Sequence, residues 1–255
     1  MSMYNSNNYN KIYTTFNRRK ILLPVIHVEN TAQALANGKI LYENHVMGCW
    51  LINHSCTDKV FADAFNNIKA TYPGLWVGIN YLGPQFAPIK FCTEYLIKPD
   101  GFWFDNVGVF DNDSSQGIKI RNQMQKAKLS DVLVFGSICF KYQPQPNSVE
   151  TTTKTALAIC DVITTSGKGT GIDHDNSDIN KFKTMKSICD KKTYLAVASG
   201  ISEANIVNIL EHVDIFMVNS SIAENEMFIP EKVANLVKII NNFEYNWYTE
   251  KPENN

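Results

Sequence analysis

The stretch Asp161-Val-Ile-Thr-Thr-Ser-Gly-Lys-Gly-Thr-Gly-Ile172 joins a short apolar run to a turn that holds three glycines. An apolar run without alternating polar residues is typical of a strand covered on both faces, as in a parallel sheet. The turn then lies at the carboxyl end of this strand. Glycines allow close backbone approach, hydroxyl groups donate hydrogen bonds and Lys168 is a cation, so the turn suits phosphate or another anion. Its spacing matches neither GxGxxG nor GxxxxGK[ST], and an ordinary strand-to-helix connection is the alternative.

Two later stretches repeat this form. Tyr194 to Asn205 contains a strand that ends in Ser199-Gly200, and Asp214 to Ala223 contains one that ends in Asn219-Ser220. Three consecutive strands therefore end in turns that are rich in hydrogen-bond donors.

The whole chain repeats a strand and a helix. Eight strand candidates begin at residues 22, 48, 75, 101, 131, 161, 194 and 215, at steps of roughly 20 to 35 residues that suit strand–helix units. Between them, apolar residues recur at helical spacing, as in Phe61, Phe65 and Ile68, and Ser202 is placed to cap a helix that carries Val207. We predict an α/β fold, a single (β/α)₈ TIM barrel. A doubly wound open sheet is the alternative, and eight even repeats count against it.

The predicted domain plan has three parts: a flexible tail over residues 1–18, the barrel over 19–243, and a tail over 244–255 whose aromatic residues dock on the barrel. The 255-residue length is close to that of one eight-stranded α/β barrel.

Composition indicates an ordinary globular protein, with 44% hydrophobic and 19% charged residues and a formal net charge of −1. Such a charge gives no electrostatic footprint for nucleic acid. No apolar run approaches the roughly 18 residues that span a bilayer, and residues 1–10 do not resemble a secretory signal. The six cysteines are scattered without a CxxC pair, which is typical of a cytoplasmic protein. The predicted partner is a small phosphorylated ligand, and a homo-oligomer is compatible with the sequence.

In such barrels the reactive residues lie where strands end. Asp105 and Glu29 are the only carboxylates at such positions, so either is a candidate general acid or base. Lys141 is a candidate for Schiff-base formation or anion binding, and His27 is a fourth candidate catalytic residue. For His27 the structural alternative is a histidine whose hydrogen bonds are satisfied beside the core, and for Lys141 it is a solvated loop lysine. For the strand-end asparagines the alternative is that each merely ends its strand. The predicted ligand-binding residues are Asn53, Asn80, Asn106, Thr165, Ser166, Gly167, Thr170, Gly171, Ser199, Gly200, Asn219 and Ser220.

Carboxylates at strand starts belong to the opposite rim. Asp131, Asp161 and Asp214 hold such positions, and a role in stability is the better interpretation. No cofactor is predicted to be required. A divalent metal ion at Asp173-His174-Asp175 is a minor alternative, because these residue types ligate metals but no H-x-x-x-H spacing accompanies them.

From about residue 20 to 240 the chain resembles the BtpA family of (β/α)₈ barrels, named for a photosystem I biogenesis factor. The residues that carry the resemblance are His27, Asn53, Asn80, Asn106, Lys141, the turn Ser166–Gly171, and Ser199-Gly200-Ile201 with Asn205. The chain departs from the family pattern at Val28-Glu29-Asn30, at Ile52 and at Asn219-Ser220. The last three turns also look like the phosphate site shared by many barrels.

Two functions from different classes follow. The first is an enzyme that acts on a phosphorylated sugar or nucleotide-like molecule by phosphoribosyl or glycosyl transfer, N-glycosidic hydrolysis or isomerisation. The second, implied by the resemblance, is a non-catalytic assembly or binding factor, whose pocket we expect to be blocked by bulky side chains such as Trp50, Trp76 and Trp103. A protein-binding scaffold built on the outer helices is a third possibility and needs an exposed apolar patch.

Overall fold

The structure, a computed structural model, describes residues 8–189 and 193–250. The strands in this part are β1 (Ile21–Leu22), β2 (Val25–His27), β3 (Gly48–Ile52), β4 (Trp76–Asn80), β5 (Gly101–Phe104), β6 (Leu133–Ser137), β7 (Val162–Ser166), β8 (Tyr194–Ala198), β9 (Ile215–Met217), β10 (Ala223–Glu224) and β11 (Met227–Phe228). The helices are α1 (Asn8–Phe16), α2 (Thr31–Glu43), α3 (Asp58–Thr71), α4 (Ala87–Glu94), α5 (Ser115–Lys126), α6 (Val149–Ala156), α7 (Asn176–Cys189) and α8 (Pro230–Glu250), with a 3₁₀ turn at Ile206–Asn208.

The main sheet is parallel and curled, with strand order β1-β9-β8-β7-β6-β5-β4-β3-β2 in the described ranges. Its two outermost strands, β1 and β2, are consecutive in the chain and separated only by Leu23 and Pro24. Pro24 has no N–H group, which interrupts the ladder at this point. Pairing nevertheless continues on both sides of it: the Leu23 N–H donates to the Phe216 carbonyl (2.9 Å), and the Trp50 N–H donates to the Pro24 carbonyl (2.8 Å).

The eight predicted strands are all present, with the first divided at Pro24. The α/β fold with a curled parallel sheet is therefore confirmed. The strands follow one another around the sheet in chain order, without the reversal that defines a doubly wound sheet, so that alternative is wrong.

The helix predicted after Ser202 is corrected. The chain forms only the short 3₁₀ turn there, and Val207 is 58% exposed. One reason is that Asn205 turns its side chain back, accepting from the Ser202 N–H (2.8 Å) and donating to the Gly200 carbonyl (2.8 Å). A side chain that bonds nearby backbone competes with a regular helix.

Alternating strand residues form two apolar clusters. Trp50, Trp76, Trp103 and Phe135 lie on the inner face of the curl, whereas residues between them, such as Phe102, pack outward against the helices. This alternation follows from the two-residue period of a strand.

The expectation of a tail over residues 1–18 is corrected from residue 8 onward, because Asn8–Phe16 is a helix. Ile12 and Phe16 lie four residues apart on one helix face and are almost completely buried, with the Phe16 ring 5.5 Å from that of Trp76. The helix was not predicted because its apolar stripe consists of only two residues in a segment rich in asparagine and tyrosine. The helix covers the inner cluster at the amino ends of the strands.

The predicted boundary at residue 243 is also corrected, because α8 continues to Glu250. The Glu244 carboxylate accepts a hydrogen bond from the Arg19 N–H (2.7 Å), which ties this part of the helix to the start of the sheet. The predicted docking of the last aromatic side chains lies outside the residues whose side chains are described.

Carboxylates at the amino ends of the strands repeat one arrangement. Each carboxylate accepts a hydrogen bond from a backbone N–H of the preceding strand and forms an ion pair with a cation on the helix before that strand. The three sets are Asp100 with Val77 and Lys69, Asp161 with Val134 and Arg121, and Asp214 with Leu195 and Lys186. A carboxylate in this position satisfies a strand-end donor and a helix cation together. The geometry supports the structural role predicted for Asp161 and Asp214, while Asp131 forms an exposed pair with Lys98.

Gly78→Ala is expected to destabilise the protein by about 2 kcal/mol, because overpacking a filled core costs roughly that much. A β-carbon at Gly78 would lie 2.3 Å from the Trp50 ring. That ring is held by Trp76 and Phe135 at centroid distances of 4.9 and 4.7 Å and cannot move away. Urea unfolding measures the effect. Gly74→Ala is the matched control, since nothing lies within 4 Å of its β-carbon position; equal losses in the two variants would contradict the packing argument.

Candidate active site

A cavity of about 430 Å³ opens at the carboxyl ends of the strands. Its wall includes Trp103 and Phe140. Its polar groups come from His27 at the end of β2 and from the loops that follow β3, β5, β6, β7, β8 and β9. Trp50 is fully buried beneath it, and Trp76 belongs to the same inner cluster. The tryptophans therefore fill the sheet interior without blocking the mouth.

Asp105 lies in the cavity wall just after β5. Burial raises the pKa of this carboxyl, while the Asn80 amide, Lys141 and His54 oppose the rise. The Asn80 side-chain amide donates to Asp105 Oδ1 (2.9 Å) and to the Trp103 carbonyl (3.0 Å). Because Asn80 is buried, with 1% of it exposed, its hydrogen bond holds the Asp105 carboxyl in one orientation. A carboxyl with a raised pKa and a fixed position is suited to proton transfer.

Lys141 faces the same cavity from the loop after β6. Its ammonium group donates to Thr170 Oγ1 (2.6 Å) and to Ser199 Oγ, and its backbone N–H donates to Ser166 Oγ (2.8 Å). Burial lowers its pKa, and Tyr142 and Asp105 oppose this effect. Lys141 and Asp105 therefore line one cavity, and within residues 8–189 and 193–250 no ion pair within 4 Å joins them.

The loops after β8 and β9 supply hydroxyl and backbone groups to one side of the cavity. Ser199 and Gly200 have left-handed φ angles of +74° and +68°, and Ser220 and Ser221 follow β9. In the described part of the chain, the backbone N–H groups of Ser220 and Ser221 have no acceptor, and Ser221 Oγ is buried without a hydrogen-bond partner. Together with Lys141, these donors form an arrangement that suits an anion.

His27, at the end of β2, and His54, in the loop after β3, line the same cavity. Their rings meet edge to face with their centroids 4.8 Å apart, and the pKa of His54 is lowered, chiefly by burial. His27 Nδ1 lies 3.1 Å from the carboxylate of Glu226.

No model of a known protein family matches the chain, and the resemblance to the BtpA family stays a prediction. No curated protein sequence matches it either.

Solved structures do match. A native KDPGal structure aligns with TM-score 0.63 and 9% identity over 87% of this chain and 94% of its own. KGPDC from Streptococcus mutans, in complex with a phosphosugar, aligns with TM-score 0.65 and 11% identity over 88% and 99%. A 4-hydroxy-2-oxoglutarate aldolase/2-deydro-3-deoxyphosphogluconate aldolase from TTHB1 gives TM-score 0.59 and 11% identity over 92% and 100%. The chain has a TIM-barrel-like fold. At these identities the likeness extends to the fold alone.

The TIM-barrel-like fold brings several predicted residues to the cavity: His27, Asp105, Lys141, Thr170, Gly171, Ser199, Gly200, Asn219 and Ser220. It places others elsewhere. Glu29 is exposed away from the cavity wall and engages Gln33 only through its backbone N–H (3.3 Å), so its predicted role as acid or base is corrected. Glu29 lies in the turn that leads into α2, whereas His27, two residues earlier, lines the cavity.

Three predicted ligand residues at the carboxyl end of β7 lie behind the cavity rather than in its wall. Thr165, Ser166 and Gly167 are buried. Thr165 Oγ1 donates to the Cys139 carbonyl (3.2 Å), and a β-carbon at Gly167 would lie 2.7 Å from the His174 ring. Their polar groups are used by the protein itself, and only the distal part of the turn reaches the cavity.

The predicted asparagines also divide between positions in a cavity wall and positions outside it. Asn53 Oδ1 accepts the Leu82 N–H (2.6 Å) outside the cavity wall, so its role is structural. Asn80 and Asn106 line a second cavity of about 360 Å³, which shares Trp103 and Asp105 with the first. Asn106 Oδ1 accepts the Gly108 N–H (2.8 Å), as is common for a turn asparagine.

The candidate metal residues point in different directions. Asp173 accepts from Asn205, His174 Nε2 lies 3.0 Å from the Ser199 carbonyl, and Asp175 pairs with Lys168. Within residues 8–189 and 193–250, no group of three His, Cys, Asp or Glu side chains is placed to hold a metal ion. No helix in that part of the chain is both long and apolar enough to cross a membrane.

Sequence reasoning missed Glu226 altogether. It lies in the hairpin turn between β10 and β11, where Asn225 and Glu226 have φ angles of +46° and +59°. The turn pair is Asn-Glu rather than the usual Asn-Gly, and each strand has only two residues, so no hairpin signal was evident.

Proposed function

We propose that this chain is an enzyme, built as a complete (β/α)₈ barrel, that carries out proton-transfer chemistry on a small phosphorylated sugar. The observation that carries the proposal is that Asp105 and Lys141, whose pKa values burial moves in opposite directions, face one open cavity beside a set of unpaired donors. Perturbed groups that converge in a cleft are typical of active sites.

Pairing at both edges of the sheet supports the complete barrel. The segment from Ile21 to His27 pairs with β9 through β1 and with β3 through β2. Hydrogen bonds from Val25 N–H to the Val218 carbonyl (2.7 Å) and from Val28 N–H to the Ile52 carbonyl (3.0 Å) extend both ladders toward the mouth.

The anion subsite of this proposal lies between the Ser199-Gly200 turn and the Ser220-Ser221 turn, with Lys141 on its inner side. Phosphate needs several donors and benefits from a cation in a partly desolvated place. The loops after β7, β8 and β9 correspond to the three turns that the sequence singled out. Solved structures of the same fold include one in complex with a phosphosugar.

Asp105 is the proposed proton carrier on the sugar side of the cavity. Its raised pKa brings it closer to neutral pH, where a general acid or base works best. Lys141 stabilises the negative charge that develops as a proton leaves the substrate. Isomerisation requires only these two roles. Phosphoribosyl or glycosyl transfer also requires an acceptor site, for which the second cavity beside Asp105 is the candidate.

The assembly-factor alternative was expected to show a mouth blocked by tryptophans. Trp103 forms one wall, its indole N–H donating to Ser137 Oγ (2.9 Å), and the cavity beside it stays open. This observation favours the enzyme.

A thermal-shift screen tests the proposal with phosphate, ribose 5-phosphate, phosphoribosyl pyrophosphate and common nucleotides. At 100 times its dissociation constant, a ligand stabilises the native state by about 2.7 kcal/mol, which corresponds to a rise of roughly 5–10 °C for a chain of this size. Ser220→Glu is expected to abolish the rise by placing a negative charge at the anion subsite. Ser220 is exposed, whereas Gly200 is unsuitable for substitution because its β-carbon would lie 2.3 Å from the Ile172 carbonyl.

Ser187→Glu is the control, since it adds the same charge on the exposed side of α7. It should leave the rise intact. A rise that survives Ser220→Glu would exclude the proposed subsite, and no rise with any compound at millimolar concentration would contradict the phosphosugar proposal.

A further inference from the structure

We propose that His27 and Glu226 form a proton-transfer dyad at the cavity, in which Glu226 holds Nδ1 of the imidazole so that Nε2 accepts a proton from the substrate. The dyad deepens the proposed function and rests on it for the presence of a substrate. Glu226 acts through His27 and is a positioning residue.

The contact between the two side chains is direct. His27 Nδ1 lies 3.1 Å from Oε1 and 3.1 Å from Oε2 of Glu226. The Asn219 side-chain amide donates to Glu226 Oε2 (3.3 Å) and to the Val25 carbonyl (2.9 Å), which keeps the carboxylate in place. His27 lines the cavity and Glu226 does not, so the carboxylate supports the ring from behind.

The hairpin that carries Glu226 is fastened to α2 by two buried amides. The Glu226 carbonyl accepts from Gln33 Nε2 (2.9 Å) and from Asn37 Nδ2 (2.8 Å), and Asn37 Oδ1 accepts the Phe228 N–H (2.8 Å). Gln33 also donates to the His27 carbonyl (3.1 Å), so one side chain joins the two members of the dyad. Asn37 is completely buried and Gln33 is 8% exposed.

The hydrogen bonds that hold the hairpin involve the backbone of Glu226, whereas the contact with His27 involves its side chain. The amides hold the backbone carbonyl of Glu226, so the hairpin does not depend on its carboxylate. The Glu226 side chain is 34% exposed, and the His27 side chain, in the cavity wall, is 25% exposed. A hydrogen-bonded imidazole–carboxylate pair that the fold does not require, with its imidazole in a cavity wall, is better explained by function.

The proton balance is simple. A neutral imidazole that donates to a carboxylate carries its proton on Nδ1 and leaves a lone pair on Nε2. When the substrate loses a proton to Nε2, the electron pair of the broken bond stays on the substrate. The ring becomes an imidazolium that Glu226 stabilises, and returning the proton restores the resting state. Asp105 and Lys141 line the same cavity as His27.

The test is the tautomer of His27 in the full chain, read from two-bond ¹H–¹⁵N correlation spectra of protein labelled at histidine. His27→Gln identifies the signal. We expect the Nδ1–H form in the native protein and a shift of population toward the Nε2–H form in Glu226→Gln. Glu224→Gln is the matched control, because this exposed carboxylate lies two residues earlier in the same hairpin. A native Nε2–H form, or a Glu226→Gln spectrum identical to the native one, would overturn the dyad.

A second readout uses any ligand that the thermal-shift screen identifies. Turnover or deuterium uptake into that compound should fall about 100-fold in Glu226→Gln, the usual size of a general-base contribution, with KM unchanged within twofold. A loss confined to KM would overturn the positioning role. Failure of the screen with an intact Nδ1–H signal would instead contradict the proposed substrate class, so the two failures can be told apart.

Discussion

Lys141→Met is expected to weaken binding of a phosphorylated ligand by about 100-fold, because removing one charge from a desolvated ionic contact costs roughly 2–5 kcal/mol. Its ammonium group is held at the cavity by Thr170 and Ser199 and is the cation nearest the proposed anion subsite. Titration followed by calorimetry measures the loss.

The same variant should make the free protein more stable at pH 7. Burial lowers the pKa of Lys141 from its usual value, so between the lowered pKa and about 10.5 the native state binds fewer protons than the unfolded state. Stability then rises with pH across that window, and at pH 7 the charged lysine destabilises the native state. Methionine removes this destabilisation and should remove the rise with pH.

Lys168→Met is the matched control. Lys168 belongs to the same glycine-rich turn as Thr170, but it is exposed and pairs with Asp175. Its loss should change neither affinity nor stability by more than a few tenths of a kcal/mol, the usual effect of an exposed pair. Equal losses of affinity in both variants would show that net charge, rather than the position of Lys141, attracts the ligand.

Asp214→Ala should lower the free energy of unfolding by about 4 kcal/mol at pH 7, as expected when one member of a buried ion pair is removed. Asp214 accepts the Leu195 N–H (2.9 Å), pairs with Lys186 and lies 3.7 Å from Lys20. Lys20 has a pKa lowered to about 8, chiefly by burial, and Asp214 is the main group that opposes this decrease. Urea unfolding measures the loss.

The loss should shrink as the pH rises from 7 to 9.5. Without Asp214 the pKa of Lys20 falls further, so the stability that returns when Lys20 loses its proton appears at lower pH than in the native protein. Asp131→Ala is the control, because Asp131 and its partner Lys98 are 65% and 56% exposed at the start of another strand. A similar loss in Asp131→Ala, or a loss in Asp214→Ala that does not change with pH, would argue against the buried network.

The parts of the fold that the sequence predicts best are those in which each strand is buried on both faces. Val162 and Ile163 lie in an uninterrupted apolar run bounded by polar turns, and such runs recur along the whole chain. The position of the cavity could also be predicted from the sequence, because the loops that follow parallel strands all lie at the same end of the sheet. Helix α1 did not, because it is stabilised by the contact of two residues, Ile12 and Phe16, with a distant cluster.

Within the site, the sequence located the right loops better than the right side chains. Ser166 and Thr170 belong to one predicted turn, yet Ser166 is buried and Thr170 reaches the cavity. Which way a side chain points after a strand depends on the pleat and on the path of the loop. Glu226 was missed because its partner His27 is 199 residues away in the chain and only the fold brings them together.

The interruption at Pro24 separates pairings that form at different times during synthesis. Val25–His27 pairs with β3, which emerges from the ribosome shortly afterward, whereas Ile21–Leu22 pairs with β9, about 190 residues later. At about 5–20 residues per second, that second partner arrives ~10–40 s after the first strand has emerged. One half of this short segment is thus paired early, while the other remains an unpaired strand edge until about 190 further residues have been made.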